Sequence, residues 1–541
     1  MLELTMACLE GRRAEFEKAG VRTPAFNIGA VRERTRRAPV WAHFSSGNLF
    51  KGYHSALAQR LLEAGAADRG IIAIEPFDYE IIEKVYRPHD NLGLRVVMKA
   101  SGDLEKELIA SVTEAIAADS GDKEAWDRLR EIFRAPSLQV VSLSITEKGH
   151  DLRAMDGSFR PEIIREFEAG TAAPVHAMTK LCALCWERYS KGGAKPVALL
   201  STDNFSHNGD RLKEAVLTAA KEWQARGHVD QGFTSWLSDE TQVSFPLSMI
   251  DKITPYPSER VKEQLGAAFA GMEVIKTARN SVTAPFVNTE EAEYLVIEDL
   301  FPNGRPPLEK AGVYITDRQT VDMVERMKVC TCLNPLHTAL AIFGCLLDYR
   351  SIAAEMEDPD LAALARKIGY DEGMPVVTDP RIIKPADFIN EVLTRRLPNA
   401  NIPDTPQRIA ADTSQKLGIR FGETIKLYVD RDDLDPQRLI LIPLVIAAWC
   451  RYLLGLDDQG NPFTPSPDPL LSGLRSELGG IELGEPATAA GKLKNILSNS
   501  KIFALDLYKA GLGERIESYF AEFLAGKGAV RKTLHKYAGR D

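Results

Sequence analysis

The amino-acid sequence predicts an α/β N-terminal domain followed by a mostly α-helical C-terminal domain. Short apolar, β-branched runs separated by helical patterns recur up to about residue 297, as in folds that alternate strands and helices. Beyond residue 304 the apolar residues recur at helical spacing almost to the end of the chain, with little strand signal. With 541 residues the chain is too long for one core, so two domains are expected.

We place the domains at residues 1–38, 39–290 and 291–541, with the main boundary between 285 and 300. The first segment is charged and becomes basic at residues 32–37, so it is interpreted as a helical extension and a surface loop. The second is the α/β domain, and the third is the helical domain.

Composition limits the classes of partner. Hydrophobic residues make up 44% of the chain and charged residues 26%, as in a globular protein, and the net charge of −9 argues against a nucleic-acid partner. No apolar run approaches the roughly 20 residues that span a bilayer, so no membrane partner is expected. The N-terminus has no basic start before an apolar stretch, which predicts a cytoplasmic protein. The 7 cysteines do not form a disulfide framework, and Cys182 and Cys185 are interpreted as core residues.

A strand, a glycine-containing turn, a helix and a second strand follow one another between residues 40 and 75. The second strand, residues 70–75, ends at Glu75. This is the order of a dinucleotide-binding unit, in which the helix N-terminus holds the pyrophosphate and the acid takes the ribose hydroxyls. The match to G-x-G-x-x-G is incomplete, because only Gly47 is in place and Ser45 and Phe50 stand at the other two glycine positions.

Further strands are predicted before polar residues. Residues 95–98, 138–145, 197–201 and 294–297 are strand-like, whereas residues 104–117 are interpreted as a helix. Thr146 follows the second of these strands, and Asn204 lies just beyond the third. Because ligands bind at the carboxyl ends of strands in open α/β sheets, these positions should face a cofactor cleft. Asn204 either makes a turn there or directs its amide into the site.

The helical domain carries a lysine, an amide and an imidazole close together in the sequence. Asn334 and Pro335 suit the N-cap and first position of a buried helix, which places His337 in its first turn. Glu325 and Lys328 are three residues apart and share a face on a helical turn. The alternative interpretation is structural: a solvated ion pair, a simple helix cap and an ordinary polar histidine.

Two cations follow at Arg408 and Lys416. On one helix their spacing of eight residues puts them about 80° apart around the axis. Facing one cleft, they would suit a polyhydroxy or carboxylate substrate. A solvated basic helix face explains the same spacing.

Several motifs, in one order, resemble the long-chain mannitol dehydrogenase family, which includes mannitol 2-dehydrogenase and the mannonate and altronate oxidoreductases. The resemblance runs from about residue 40 to the C-terminus. It is carried by residues 43–48, 142–149, 201–209, 245–255, 296–299 with 304–306, 333–337 and 408–416.

The resemblance implies a Rossmann-type N-terminal domain, a helical C-terminal domain with the active site between them, and zinc-free hydride transfer between NAD(H) and C2 of a polyol or keto-sugar. Lys328 resembles the family's acid/base. Asn204 and Asn334 resemble the amides that hold the reacting oxygen, and Glu325 resembles a glutamate linked to proton passage. The resemblance further makes His337, Arg408 and Lys416 substrate contacts.

A set of cofactor-binding residues completes the expected site, and no metal is expected. The set is Gly47, Asn48, Leu49, Phe50, Glu75, Asp78, Thr146, Asp203 and Asp251. The negative charge of Glu75 and Asp78 would repel a 2′-phosphate, so NAD is expected rather than NADP.

The expected substrate pair is a linear sugar acid and its keto form, D-mannonate and D-fructuronate. This choice depends on the cation pair and on residues 451–462, which resemble mannonate enzymes more than mannitol enzymes. Mannitol/fructose and altronate/tagaturonate are alternatives, and so is a nucleotide-binding protein without turnover. A monomer or small homo-oligomer is expected.

The sequence departs from the family pattern in three places. Six steps separate Lys328 from Asn334 where the family usually has five, and Pro335 replaces a glycine. Because a regular helix would turn the lysine about 100° away, we predict a bulge or break between these two residues. In the nucleotide turn, Ser45 replaces the first glycine, and Lys51 with Gly52 stands where the family has an arginine and its neighbours.

Overall fold

The computed structural model describes residues 1–99, 101–154 and 156–539. The chain divides into two compact units, Met1–Val321 and Asp322–Asp541. The first is an α/β unit and the second is built from helices, as the sequence predicts.

The strands lie in the first unit. They are β1 (Val21–Arg22), β2 (Trp41–Phe44), β3 (Ile71–Glu75), β4 (Gly93–Met98), β5 (Leu104–Ile109), β6 (Val112–Ala117), β7 (Val140–Leu143), β8 (Val197–Ser201), β9 (Val243–Ser244), β10 (Ser248–Asp251), β11 (Ile275–Lys276), β12 (Val282–Thr283), β13 (Phe286–Glu290), β14 (Tyr294–Glu298) and β15 (Tyr314–Thr316).

The α-helices of the first unit are α1 (Met6–Lys18), α2 (Ile28–Arg37), α3 (Ser55–Glu63), α4 (Lys123–Arg134), α5 (Pro161–Ala169), α6 (Ala177–Ser190), α7 (Asn208–Ala225), α8 (Gln231–Ser238) and α9 (Glu259–Gly266). Helix α10 (Arg318–Arg326) runs across the division.

The α-helices of the second unit are α11 (Asn334–Leu346), α12 (Ile352–Glu357), α13 (Pro359–Lys367), α14 (Pro385–Glu391), α15 (Pro406–Ile409), α16 (Glu423–Asp430), α17 (Leu441–Leu453), α18 (Leu471–Glu477), α19 (Lys494–Leu497), α20 (Ser500–Phe503), α21 (Gly513–Phe523) and α22 (Ala529–Ala538). Every residue of α17 is buried, and this helix packs against α11 and α21.

A six-stranded parallel sheet forms the centre of the first unit. Its order is β6-β3-β2-β7-β8-β9. In order of strand this is 3-2-1-4-5-6, the doubly wound arrangement of dinucleotide-binding domains. The structure therefore confirms the Rossmann-type N-terminal domain.

Alternate residues of the central strands enter two separate cores, as the pleat of a sheet requires. The odd-numbered residues Trp41, Ile71 and Ala73 pack with Leu57 and Leu61 of α3. On the other face, the even-numbered Ala42, Phe44, Ile72 and Ile74 pack with Leu129 of α4, Leu181 of α6 and Leu212 of α7. Both faces are covered, which explains why these strands are mostly apolar. Cys182 and Cys185 belong to the second of these cores, as the sequence predicts.

The first unit also contains a four-stranded sheet of order β1-β5-β4-β13 and a three-stranded sheet of order β10-β14-β15. The four-stranded sheet includes residues 104–109, which the sequence analysis assigned to a helix over 104–117. That prediction is wrong: the segment forms β5 and β6, which belong to two different sheets. Its Glu, Lys, Leu and Ala residues favour a helix intrinsically, but tertiary pairing overrides local propensity.

The division between the units lies after Val321, beyond the predicted interval of 285–300. The difference arises because β14 pairs with β10 and with β15, so that residues 291–316 belong to the first unit. The N-terminal extension is also part of this unit, since β1 pairs with β5.

A π-helix, Met327–Cys332, separates α10 from α11. The amide of Leu333 donates to the carbonyl of Lys328, five residues back, at 3.1 Å, and Leu333 then leaves helical geometry with φ −131° and ψ −62°. The bulge or break predicted from the extra residue between Lys328 and Asn334 is confirmed.

Helix α10, the π-helix and α11 together span Arg318–Leu346, a run of 29 residues interrupted only at Leu333. By length and composition it is apolar enough to cross a membrane, which differs from the expectation that no such run exists. However, 83% of its most apolar window is buried inside the protein. Its hydrophobicity is that of a core helix.

Candidate active site

The nucleotide turn between β2 and the following helix opens onto a cavity of about 1070 Å³. Ser45, Gly47 and Asn48 line it from the turn, and Ser144 and Thr146 line it from the end of β7. The helix begins at Asn48 and continues through a π-helical stretch, Phe50–His54, into α3. A helix N-terminus at the carboxyl end of a parallel sheet is a place where phosphate groups bind.

Ser45, at the first glycine position of the motif, has φ +123°. This backbone conformation is one that side chains other than glycine rarely adopt. The structure thus keeps the glycine geometry although the sequence has a serine, and the turn is strained at this residue.

The carboxylate of Glu75 holds the nucleotide turn against the end of β3. One oxygen accepts hydrogen bonds from the amide and hydroxyl of Ser46, at 3.0 and 2.6 Å. The other accepts from the amides of Phe77 and Asp78, both at 3.0 Å. Glu75 also lines the cavity, where its role toward ribose hydroxyls stays a prediction.

A β-hairpin formed by β11 and β12 lines the same cavity and is tied to the nucleotide turn. Thr277 donates to Asp78 at 2.6 Å, and the side-chain amide of Asn48 donates to the carbonyl of Val282 at 3.2 Å. The Lys51 ammonium donates to the Thr283 hydroxyl and the Ala284 carbonyl at 2.6 and 2.7 Å. Burial lowers the pKa of Lys51 to about 7. Lys51 thus joins the hairpin to the turn.

Four residues of the predicted cofactor set do not line the cavity. Phe50 is fully buried and stacks on His43 with ring centroids 4.9 Å apart, and Leu49 packs on the same core. Asp203 and Asp251 are buried at the ends of β8 and β10. The side chains of Leu49 and Phe50 are therefore directed into the core between the helix and the sheet and not toward the cavity.

Asp203 lies beside a histidine that the sequence analysis did not identify. Its carboxyl accepts from the Ser201 hydroxyl at 2.8 Å and lies 3.5 Å from Nε2 of His150. Burial raises the pKa of Asp203 well above its usual range and lowers the pKa of His150 to about 4. Burial thus disfavours the charged form of both groups. Asn204, the next residue, is exposed at the carboxyl end of β8.

In the second unit, the first turn of α11 presents two polar side chains. Every residue of this helix is buried except Asn334 and His337, which are three apart and therefore on one face. The sequence predicted Asn334 as the N-cap of this helix. In the structure Leu333 is the N-cap and Asn334 is the first helical residue, and no side chain caps the helix. Lys328 is buried in the preceding π-helix, and Glu325 is half-buried at the end of α10.

Asp404 brings His337 and Arg408 together. Its Oδ2 lies 2.9 Å from Nε2 of His337, and its Oδ1 accepts from Nε of Arg408 at 2.9 Å. Burial acts to raise the pKa of Asp404, but His337 and Arg408 outweigh it, so the pKa lies below its usual range. The carboxylate therefore remains ionised between these two groups.

Arg408 and Lys416 do not lie on one helix, which corrects the assumption behind their predicted 80° separation. Arg408 belongs to the short helix α15, and Lys416 follows a 3₁₀ turn, Thr413–Gln415. Between them Asp412 has φ +51°, which ends the helical path. The two cations nevertheless remain close enough that Arg408 lowers the pKa of Lys416, after larger effects of burial and of Arg420.

No group of three or more His, Cys, Asp and Glu residues suited to a metal ion is found in residues 1–99, 101–154 and 156–539. The polar groups described above include amides, lysines, histidines, an arginine and separate carboxylates. Such groups bind and orient oxygen atoms and move protons.

Comparison with known protein families matches both units. Residues 41–310 match the mannitol dehydrogenase Rossmann domain, and residues 320–523 match the mannitol dehydrogenase C-terminal domain. The chain belongs to the mannitol dehydrogenase family.

One family relative is the D-mannonate oxidoreductase of Thermotoga maritima, which is 53% identical over 98% of each chain. Two solved structures share the fold. D-sorbitol dehydrogenase in substrate-free form superposes with a TM-score of 0.75 at 23% identity over 96% of each chain. Mannitol 2-dehydrogenase of Pseudomonas fluorescens, solved as a ternary complex with NAD and D-mannitol, has a TM-score of 0.69 at 24% identity over 96% of each chain.

For this member of the mannitol dehydrogenase family, sequence reasoning did not identify Asp404 and Arg420. Asp404 carries a usable signal, because it stands four residues before Arg408, the spacing of an ion pair on a helix. Arg420 carries none, because a single arginine in a helical segment resembles any solvated residue. Its contacts become evident only in the folded unit.

Proposed function

We propose that this chain is an NAD(H)-dependent oxidoreductase that interconverts D-mannonate and D-fructuronate by hydride transfer at the secondary alcohol carbon. The observation that carries the proposal is the 53% identity, along 98% of both chains, to a D-mannonate oxidoreductase. The neighbouring cations of the helical unit support an acidic substrate, because a carboxylate needs positive partners.

The first unit supplies the nucleotide half of the proposed function. Its cavity of about 1070 Å³ has the start of a helix at one edge and the carboxylates of Glu75 and Asp78 beside it, which suits the phosphates and the ribose of a dinucleotide. When bound, the nicotinamide accepts or gives the hydride. Gly47, Asn48 and Thr146 would hold the cofactor together with the two carboxylates.

The second unit supplies the acid/base group. In the oxidative direction Lys328, when neutral, takes the proton of the substrate hydroxyl, and in the reductive direction it returns that proton to the carbonyl oxygen. We assign proton passage between the lysine and solvent to Glu325. The π-helix between them supports the assignment of Lys328 and Asn334 to one site although Asn334 lies six positions after the lysine.

The amides of Asn204 and Asn334 hold the reacting oxygen in this proposal. Negative charge develops on that oxygen as the proton leaves, and fixed donors stabilise it by roughly 3–4 kcal/mol each in comparable sites. His337, Arg408 and Lys416 bind the rest of the sugar acid, with Asp404 orienting the first two of them.

Steady-state oxidation of NADH with fructuronate, tagaturonate and fructose tests the proposal. Fructuronate should give the largest kcat/KM. A preference for fructose would make the chain a mannitol 2-dehydrogenase, and a preference for tagaturonate an altronate oxidoreductase. Tight NADH binding without turnover of any of the three would indicate a nucleotide-binding protein.

The same assay with NADPH tests the coenzyme. The carboxylates of Glu75 and Asp78 are both buried at the cavity, so a 2′-phosphate would meet negative charge. We expect kcat/KM with NADH to exceed that with NADPH by at least about tenfold, the ratio that 1.4 kcal/mol of repulsion produces. Equal values would contradict this role for the two acids.

We also propose that the protein acts in the cytoplasm as a monomer or small homo-oligomer, with a small sugar acid as its substrate and neither nucleic acid nor membrane as a partner. The net charge of −9 supports this for nucleic acid. Size-exclusion chromatography with light scattering would determine the oligomeric state.

A further inference from the structure

Arg420, beside the first turn of α11, and the nearby Lys416 form no ion pair with a carboxylate among the residues that the structure describes. Arg420 donates from one terminal nitrogen to the hydroxyl of Thr338, the residue after His337. Lys416 donates to the carbonyl of Ala411 at 2.5 Å. Within the described part of the chain, neither of these two side chains forms an ion pair with a carboxylate, and burial alone accounts for the lowered pKa of Arg420.

Arg408 provides a contrast within the same cluster. Its guanidinium is paired with Asp404, and 63% of its side chain is exposed to solvent. Its charge is therefore already matched by an anion and screened by water. Arg420 has no such ion pair among the described residues, and Lys416 is attracted by Asp412 and Asp468 without forming an ion pair with either.

Arg420 and Lys416 are half-buried, and this partial loss of water is unfavourable for a charged group without an anion beside it. Burial lowers the pKa of Arg420 to about 10 and is also the largest cause of the lowered pKa of Lys416, followed by the nearby charge of Arg420. An arginine that loses water and gains no counterion is costly to the fold. A bound anion would remove this cost, because it would attract both groups.

The backbone that carries Arg420 is fixed in place. It is a π-helix, Gly418–Gly422, that packs on residues 502–504. At Gly422 a Cβ atom would lie 1.9 Å from the carbonyl oxygen of Phe503, so no side chain fits there. Upstream, Ser414 is tied to Asp468 by its amide at 2.8 Å and by its hydroxyl. The cation pair is thus held on a rigid support, as a preformed binding site requires.

We propose that Arg420, together with Lys416, binds the carboxylate of the sugar-acid substrate and so distinguishes acids from uncharged polyols. This inference rests on the proposed function. Guanidinium groups bind carboxylates through two parallel hydrogen bonds, whereas an ammonium acts as a point charge. His337 and Thr338 are adjacent in the chain, which places the carboxylate subsite next to the turn that carries the other substrate contacts.

The variants Arg420→Gln and Arg420→Lys test the proposal by comparing fructuronate with fructose. We expect Arg420→Gln to lower kcat/KM for fructuronate by about 30-fold or more, as expected when one partner of a buried charge pair is removed. The value for fructose should change by less than about threefold, because an uncharged ketose does not use the cation. Arg420→Lys should be intermediate, since it keeps the charge but loses the paired donors.

Arg438→Gln is the matched control, because Arg438 is an exposed arginine of the same unit. This variant should leave both kcat/KM values unchanged. An equal loss with fructuronate and fructose in Arg420→Gln would show that the arginine only supports the fold, and the proposal would be overturned.

Calorimetry separates the failure of this inference from the failure of the proposed function. The binding of D-mannonate and D-mannitol to the NADH-loaded protein is measured without turnover. At least about tenfold tighter binding of the acid, lost in Arg420→Gln, supports the site even if fructuronate is not reduced. Equal binding of acid and polyol, or a preference that persists in Arg420→Gln and Arg420→Lys, overturns it.

Discussion

The imidazole of His337 lies 2.9 Å from the carboxylate of Asp404, whose other oxygen binds Arg408. One buried acid therefore orients two side chains that we assign to the substrate. Asp404 is only 7% exposed, so solvent does not replace it as a partner.

Replacement of Asp404 by asparagine should reduce catalysis without unfolding the chain. His337 and Arg408 would lose their shared anion, and a displacement of about 1 Å in substrate contacts costs on the order of 100-fold in rate. We expect kcat/KM for the sugar acid to fall about 10–100-fold, with NADH affinity unchanged in a fluorescence titration. Glu477→Gln, at an exposed position of the same unit, is the control. A fully active Asp404→Asn variant would exclude this orienting role.

Replacement of Lys328 by alanine should remove the proposed acid/base group. Loss of such a group typically lowers kcat by about 100- to 10,000-fold. Binding of NADH, which is assigned to the first unit, should persist. Lys426→Ala is the matched control, because Lys426 is exposed in α16. If kcat of Lys328→Ala equals that of the unmodified protein, the lysine has no part in the mechanism.

Replacement of Ser45 by glycine should stabilise the protein. The serine has φ +123°, and glycine adopts this conformation without strain. We expect a gain of about 1 kcal/mol in the free energy of unfolding, measured by urea denaturation. Ser46→Gly should have the opposite sign, because it removes the 2.6 Å hydrogen bond from the Ser46 hydroxyl to Glu75. A loss of stability in both variants would show that Ser45 is not strained.

Glu355 should make stability depend on pH. Its carboxyl is fully buried in α12, and its Oε1 would lie 1.9 Å from a Cβ atom at Gly344. Burial, followed by the charges of Asp404 and Asp358, raises the pKa of Glu355 to about 9. The folded state then binds this proton more tightly than the unfolded state, so the contribution of Glu355 to stability is lost as the pH rises from about 4.5 toward 9.

Glu355→Gln should therefore be about 2–4 kcal/mol more stable than the unmodified chain near pH 8, with the difference vanishing below about pH 4.5. Thermal unfolding across this pH range measures the difference. Glu357→Gln, on the same helix but exposed, should show no such trend. A pH-independent effect of Glu355→Gln would mean that the carboxyl does not bind its proton more tightly in the folded state.

The sequence predicted the fold well where one strong pattern dominated. Residues 197–201 form a short, mostly apolar run with turns on both sides, and β8 has these limits. The π-helix at Met327–Cys332 was predicted from one extra residue, because a fixed spacing between functional residues leaves few ways to accommodate it. The strand depends on local sequence alone, and the π-helix on the comparison of a local spacing with the family pattern.

Prediction failed where distant residues decide the structure. Residues 104–117 contain helix-forming residues, yet Glu107 lies in a strand because it pairs with Arg95 and Arg22. In the candidate site, Asp404 is 67 positions away from His337 in the sequence, and no spacing rule connects them. That Arg420 contacts the Thr338 hydroxyl and, among the described residues, no carboxylate is likewise a property of the folded unit.

Six of the seven cysteines, among them Cys330 and Cys332 beside Lys328, are buried. Burial raises the pKa of Cys330 and Cys332 to about 11, so neither is a reactive thiolate at neutral pH. Alkylating reagents should therefore modify these sulfur atoms only after the helical unit opens. The rate at which such a reagent labels Cys330 and Cys332 then reports how often the helical unit opens, without any probe having to be introduced.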